Sequence, residues 1–571
     1  MKKRTAWVLV ACVAALAIGA AAVGALALVL RGGSGGGARL GGQTYLTLDL
    51  TGEIPEDPPS DIGNLFERRP PSLRTVVESL ERAADDPKVS GVLVRVSSLP
   101  TSGWGQVQEL RNAITRFRAS GKPAYAHLEF CGNKEYYLAT ACTKVYAVPT
   151  ALLDITGLET EVTFFRGTLD KLGVQAQFEG VGKYKNAPNQ FTEKGFTEPH
   201  REQMEALLDS LYDEYVAGIA QSRGLGTEAV QALIDQGPYD AVAAKKAGLV
   251  DELLYRDQLL SRLSAAEEIK PARYVKRSRN VSFDGRPRIA LVYAVGEIIA
   301  GESQHSPFGG SFAGSDTVAG ALRKAREDSS IKAILLRVDS PGGSGTASDV
   351  IWREVELARK KKPVVVSMGD VAASGGYYIA MGSDAIVAQP GTITGSIGVF
   401  GGKFSLRGLY DKIGLSKEIL TRGEHAALFS EYRPWSDEER KRVRALMVAF
   451  YDDFIAKAAK GRRKEPDEVH AVAQGRVWTG AEAKQIGLVD HLGGLDVALA
   501  VAKERAKIAK DQDVRLVELP EHKGLFETLL ERQEDGVETV LPRDLRAMLR
   551  LGALLRDGQP LARLPFDLTI R

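Results

Sequence analysis

The sequence predicts an α/β fold written twice in tandem behind one N-terminal transmembrane helix, and three observations predict it. Short β-branched runs alternate with helical patterns, a set of short motifs returns about 240 residues after its first occurrence, and the chain opens on a long uncharged apolar run. At 571 residues the chain exceeds one ordinary hydrophobic core, so two or more domains are expected on size alone. The composition, 44% hydrophobic and 26% charged, is close to the globular average, and a net charge of +2 argues against a nucleic-acid partner.

Lys2, Lys3 and Arg4 precede the apolar run from Thr5 to Leu30. That run is longer than the roughly 20 residues a spanning helix needs and the roughly 7 to 15 of a cleavable signal core. Residues 1–31 are therefore read as a basic cytoplasmic tip and a retained anchor. Ala20-Ala21-Ala22 leaves cleavage by a signal peptidase open, and Leu9-Val10-Ala11-Cys12 leaves lipidation open. With the basic cluster held inside, the body emerges on the far side, which makes a single-pass bacterial inner-membrane protein with a periplasmic body. Residues 32–39, rich in Gly and Ser, form a flexible spacer.

The body then repeats. Gly52-Glu53-Ile54 answers to Gly296-Glu297-Ile298, Val92-Leu93-Val94-Arg95-Val96 to Ile334-Leu335-Leu336-Arg337-Val338, and Tyr136-Tyr137-Leu138-Ala139 to Tyr377-Tyr378-Ile379-Ala380. Asp170-Lys171-Leu172-Gly173 and Gly248-Leu249-Val250-Asp251 recur as Asp411-Lys412-Ile413-Gly414 and Gly487-Leu488-Val489-Asp490. Two copies are expected, over 40–280 and 281–513. In the second, strands are expected over Ile289 to Val295, Ile331 to Val338 and Val364 to Ser367. Helices are expected near Thr317 to Arg326, Ala347 to Arg359 and Gly375 to Met381. Beyond Val514 the pattern stops, and Leu525, Leu529, Leu530, Leu545, Met548 and Leu549 suggest a helical tail over 514–571.

Two glycine-bearing loops could carry chemistry. Asp339-Ser340-Pro341-Gly342-Gly343-Ser344-Gly345 follows directly on a buried strand, where glycines admit backbone N–H groups close to a reacting atom, as an oxyanion hole requires. A tight turn would need the same glycines. Gly369 to Tyr378 puts Ser374 at the start of a helix, where it is either an N-cap or a nucleophile. A hydroxyl nucleophile needs a base. No histidine lies near either loop in sequence, although residues distant in sequence can fold close and keep a Ser/His/Asp triad open; its Gly-x-Ser-x-Gly elbow is absent around Ser374, and lysine is the other established base.

The double domain, Asp339 to Ser344, Gly369 to Ala380, Gly395-Ser396-Ile397-Gly398-Val399-Phe400 and Gly182-Lys183-Tyr184-Lys185 together resemble the signal peptide peptidase A family in its long, two-domain form, from about Leu40 to about Arg515. The resemblance implies a Clp-protease/crotonase-like fold in each copy, a Ser/Lys dyad, peptide substrates that include cleaved signal peptides, and a homo-oligomer, a tetramer in that family. It also implies roles: Ser374 as nucleophile, Lys185 as general base and acid, Ser396 as the residue that orients the lysine. Gly343 and Gly375 would be the oxyanion donors. Lys183 and Lys185 share one face of an extended segment, so spacing does not choose between them; the resemblance selects Lys185.

The repeat adds an independent argument. Ser374 falls opposite Asn133 and Lys185 opposite Ala426, so each copy holds one half of a dyad. A single composite site between the copies would have this pattern. Against the peptidase reading stand a crotonase-type acyl-CoA enzyme, which uses paired backbone N–H groups on a related fold, and a membrane-tethered scaffold without turnover.

No cofactor or metal is expected. The seven histidines, His127, His200, His305, His425, His470, His491 and His522, are scattered with no zinc-site spacing. Cys131 and Cys142, if joined by helix, lie about 16 Å apart, too far for a disulfide.

Overall fold

A computed structural model describes residues 43–57, 70–100, 102–265, 267–278, 285–305, 310–520 and 561–563. The expected transmembrane helix lies outside the described residues. Among them no helix is long and apolar enough to cross a membrane.

Two sheets carry the duplication. In the first, strands Thr44–Thr51, Val89–Ser98, Ala124–Cys131 and Lys144–Leu153 lie side by side and parallel, with Glu267–Ile269 added beyond Thr44–Thr51. In the second, Arg288–Val295, Ile331–Ser340, Val364–Ala373 and Ala385–Ala388 follow the same order, with Arg515–Leu519 added beyond Arg288–Val295. The repeat in sequence is thus a repeat in space. Ile334, Leu335 and Leu336 are all fully buried, as continuous apolar runs are when helices cover both faces of a parallel sheet. Cys131 and Cys142 are buried free thiols on either side of the helix Asn133–Ala139.

Of the expected helical tail, the residues that suggested it, Leu525 to Leu549, lie outside the described residues. Its described residues form two strands, Arg515–Leu519 and Leu561–Arg563. The first has a half-buried strand pattern and completes the second sheet. The second is three residues long, too short for any periodicity to announce.

A third, mixed sheet joins the copies. Gln175–Val181 of the first runs antiparallel to Val399–Ser405 of the second, in register from Val181 opposite Val399 to Gln175 opposite Ser405. A buried polar contact reinforces the junction. Arg337, in the middle of an apolar strand of the second copy, donates to Glu56 Oε2 at 2.9 Å and Oε1 at 2.8 Å and to Glu109 Oε2 at 2.8 Å, both from the first. Nearby, Asp370 accepts the backbone N–H groups of Gly103 and Gln106, each at 2.6 Å, at the start of the helix Trp104–Ala119. The two copies therefore sit in a fixed relation.

Candidate active site

Strand Val364–Ala373 ends against the helix Gly375–Ala380, and the one residue between them is Ser374. Its backbone is at φ +55° and ψ −110°, a region that non-glycine residues rarely occupy, so the surroundings must hold it there. They do so through Ser374 N–H to the Gly395 carbonyl and Tyr378 N–H to the Ser374 carbonyl, both 2.8 Å. The Ser374 side chain makes no capping bond to the helix and is fully buried. The N-cap alternative thus falls, and Oγ is left for other partners.

That partner comes from the other copy. Lys185 Nζ lies within hydrogen-bond distance of Ser374 Oγ at 2.8 Å, Ser396 Oγ at 2.9 Å and the Ser396 carbonyl at 3.1 Å. No carboxylate is among these partners. Lys185 is 5% exposed, and burial alone pushes its pKa well below the ordinary lysine value, because the protein offers no counter-charge to replace lost hydration. Lys183, by contrast, points to solvent and bonds Tyr184 and Glu202. Folding separates two lysines that spacing could not.

The lysine is carried by a turn packed against the second copy. Tyr184 N–H donates to the Gln474 carbonyl at 2.8 Å. Gly182 has φ +112°, and a Cβ there would lie 2.4 Å from the Gln474 carbonyl. Gly475, at φ +78°, would put a Cβ 2.6 Å from the Lys185 backbone. Both glycines are needed for this close approach. Outside the turn, Glu202 ties Tyr184 Oη, at 2.8 Å, to Arg476 Nη1, at 2.7 Å. Sequence reasoning missed Gln474, Gly475 and Arg476, and no motif or spacing marks them.

Ser396 is buried at φ +52°, with its N–H on the Arg476 carbonyl at 2.7 Å. Gly343 lies on the short strand Gly342–Ser344, at φ +152°, where a Cβ would clash with the Ile298 carbonyl oxygen at 2.2 Å. Gly375 opens the helix after Ser374, and a Cβ there would lie 3.0 Å from Gly342 Cα. The Gly-rich turn and the helix start are therefore adjacent. Gly342 N–H is occupied by Ser340 Oγ at 3.2 Å.

In the first copy the corresponding positions do structural work. Asn133 accepts from the N–H groups of Thr156 and Gly157, each at 3.2 Å, and donates to the Gly157 carbonyl at 2.7 Å. An amide fills that junction with hydrogen bonds. Ala426, opposite Lys185 in the repeat, is exposed. His425 is half-buried beside Glu424.

Chemically, a buried serine hydroxyl held against a lysine amine whose uncharged form burial favours is a nucleophile next to a base. Among the described residues no group of His, Cys, Asp and Glu is arranged to hold a metal ion.

The model of peptidase family S49 matches residues 116–270 and 356–509, one stretch in each copy. Lys185 falls in the first stretch, Ser374 and Ser396 in the second. The chloroplastic serine protease SPPA of Arabidopsis thaliana is 38% identical over 488 residues, covering 83% of this chain and 71% of its own. Protease 4 of Salmonella typhi is 31% identical over 544 residues, covering 90% of this chain and 87% of its own. Protease 4 of Haemophilus influenzae is 31% identical over 510 residues, covering 85% and 82%.

Proposed function

This chain belongs to peptidase family S49 and is a serine protease, and from that premise we propose that it cleaves peptides with Ser374 as nucleophile and Lys185 as general base. The observation that carries the proposal is the 2.8 Å contact between a buried lysine, whose pKa burial lowers, and a buried serine contributed by different copies. Lys185 takes the Ser374 proton as Oγ attacks the scissile carbonyl. The N–H groups of Gly343 and Gly375 stabilise the oxyanion. The ammonium of Lys185 then protonates the leaving amine, and water repeats the sequence on the acyl-enzyme.

Ser396 holds the lysine amine through its Oγ and its carbonyl oxygen. Ser396→Ala is expected to lower kcat by about 10²-fold with little change in KM, because it loosens the base without touching substrate. A parallel fall in both would contradict a positioning role. The proposal as a whole is tested by steady-state hydrolysis of an apolar, small-residue peptide: Ser374→Ala should reduce kcat on the order of 10⁴-fold or more. Unchanged turnover would return the reading to a scaffold.

Cleaved signal peptides are the proposed natural substrates. Such peptides are apolar and lie in or beside the bilayer, which suits a body tethered through residues 1–31 on the periplasmic face of a bacterial inner membrane. Each copy is proposed to have the Clp-protease/crotonase-like fold. Homo-oligomerisation is proposed as well, the tetramer of the resemblance included. Ile413 and Leu420 are 64% and 93% exposed, in the part of the second copy that corresponds to the Lys185-bearing arm of the first. In the first copy that arm is covered by the second. Family membership leaves the acyl-CoA reading without support.

A further inference from the structure

Residues 474–478 of the second copy back the lysine turn. The Gln474 carbonyl takes the Tyr184 N–H, the Gly475 backbone lies against Lys185, and the Arg476 carbonyl takes the N–H of Ser396, which holds the lysine amine. Gly475 N–H in turn donates to the Ile397 carbonyl at 2.7 Å. Gln474 is at φ +54°, a conformation that its surroundings must hold, and Tyr451 Oη accepts its N–H at 3.2 Å. All of these contacts to the lysine and serine turns are made by backbone. The side chain that reaches from this segment to the lysine turn is that of Arg476.

Arg476 is stacked on two rings. Its guanidinium carbon lies 4.9 Å from the Tyr184 ring centroid and 4.5 Å from that of Trp478, and Nη1 donates to Glu202 Oε1 at 2.7 Å. Glu202 also accepts from Tyr184 Oη at 2.8 Å, so the helix Glu198–Arg223, the lysine turn and the arginine close one ring of contacts. Trp478 is fixed by its Nε1–H, which donates to the Val472 carbonyl at 2.9 Å. Its Cδ1 would lie 2.8 Å from a Cβ on Gly395, whose carbonyl holds the Ser374 N–H. The stack therefore meets the turn of the base on one side and the turn beside the nucleophile on the other. A planar, delocalised cation suits that place as an ammonium would not. The repeat marks it too. Asp240 and Thr479 cap the equivalent helices Ala241–Lys246 and Gly480–Gln485, which puts Arg476 opposite Gly237, and the spacing that pairs Ser374 with Asn133 pairs Ser396 with Ile155. Gly237 and Ile155 also meet: a Cβ on Gly237 would lie 1.9 Å from the Ile155 carbonyl oxygen. The junction without a dyad keeps the backbone approach and has neither the arginine nor the serine.

We propose that Arg476 is a positioning residue for the reaction: stacked on Tyr184 and Trp478, it presses the Lys185 turn onto the Ser396 turn and keeps water from the lysine amine. The inference rests on the Ser/Lys reading given above. Lys185 is 5% exposed although Lys183, two residues before it, is open to solvent, so the dryness of the amine depends on what covers the turn. The charged and titratable groups around that cover are Lys183 and Tyr184 on the turn, Glu202 on the helix, Arg476 itself and, behind Gln474, Tyr451 with His470. None of them bonds the Lys185 amine, whose partners belong to Ser374 and Ser396. They act on the base by excluding water, and a gap in the cover lets hydration stabilise the ammonium form. Opening the stack then has two consequences: the amine loses its alignment on Ser374 Oγ, and it becomes a free base only at higher pH.

The test is the pH–rate profile of the full chain on the apolar, small-residue peptide, with the melting temperature measured alongside. Arg476→Ala is expected to lower kcat about tenfold at neutral pH, to leave KM within about twofold of wild type, and to move the acid limb of kcat up by about one pH unit, so that much of the loss is recovered at alkaline pH. The melting temperature should change little, because the Arg476–Glu202 ion pair is partly exposed, at 19% and 43%. Arg476→Lys, which keeps the charge without the flat stack, should behave like the alanine variant. Tyr184→Leu removes the other half of the stack and should shift the limb in the same direction, with the double variant going no further than either single one. A kcat that falls equally at every pH, with the limb where wild type has it, would overturn the inference, as would a wild-type profile in Arg476→Lys or limb shifts that add in the double variant. A wild type without an acid limb, or peptide cleavage that survives Ser374→Ala, would instead overturn the Ser/Lys reading.

Discussion

Lys185→Met is expected to abolish peptide hydrolysis, on the order of 10⁴-fold or more, while the protein folds normally and melts at a higher temperature. The two effects share one cause. Lys185 is buried with hydroxyl and carbonyl partners only, so its charged form is penalised and it stays neutral in the folded state well below the pH at which a free lysine would protonate. The unfolded chain then binds more protons than the folded one. By linkage, the stability that depends on this residue falls as pH drops from the ordinary lysine value of 10.5 toward the lowered folded value, and rises again as pH rises. Methionine fills a similar volume without an amine, so it removes both the base and the penalty. Activity of the wild type should follow the same titration, rising with pH through the lowered lysine pKa and levelling below 10.5. Melting curves and rate profiles collected across the same pH range check both halves. A methionine variant that melts lower than wild type at neutral pH would show that the amine is stabilising, and so not the desolvated base described here.

Arg337→Met is expected to produce the largest loss of stability, about 3–5 kcal/mol, because it strands Glu56 and Glu109 in the interior without a counter-ion. Arg337 has 2% side-chain exposure, against 5% and 4% for the two carboxylates. Burial already raises the Glu109 pKa, with Arg337 opposing the shift. The arginine also donates to Ser367 Oγ at 2.8 Å and to the Met368 carbonyl at 3.2 Å, on the strand that leads to Ser374. Losing it should therefore disturb the relation between the copies as well as the core. Adding Glu56→Gln and Glu109→Gln to Arg337→Met should recover much of the stability, since neutral amides fill the site without buried charge. Denaturation midpoints of the single and triple variants provide the check, and a triple variant no better than the single would show that the arginine acts through its other partners instead.

The fold class was open to reading because both of its signals are periodic. Apolar strand runs alternate with helical spacing, and the motif set recurs, so the order Thr44–Thr51, Val89–Ser98, Ala124–Cys131 could be anticipated from its counterpart in the second copy. The position of Ser374 at a strand-to-helix junction was legible for the same reason. Its backbone strain was not, since positive φ at a serine leaves no mark in composition. The choice between Lys183 and Lys185 is a matter of burial, which depends on where Gln474 and Gly475 press against the turn, nearly 300 residues away in sequence. The Arg337 cluster was half visible: a charged residue inside Ile334 to Val338 signals a buried partner, but nothing local names Glu56 and Glu109. Leu561–Arg563 was beyond reach, because three residues have no period and the strand exists only as an insertion between two others.

Labelling of the soluble body with a fluorophosphonate, followed by intact-mass spectrometry and peptide mapping, tests the central claim most directly. The account predicts one adduct on wild type, at Ser374, absent from Ser374→Ala and from Lys185→Ala. A folded wild-type protein that takes up no adduct under conditions that label a control serine hydrolase, or one that labels as readily without Lys185, would contradict it.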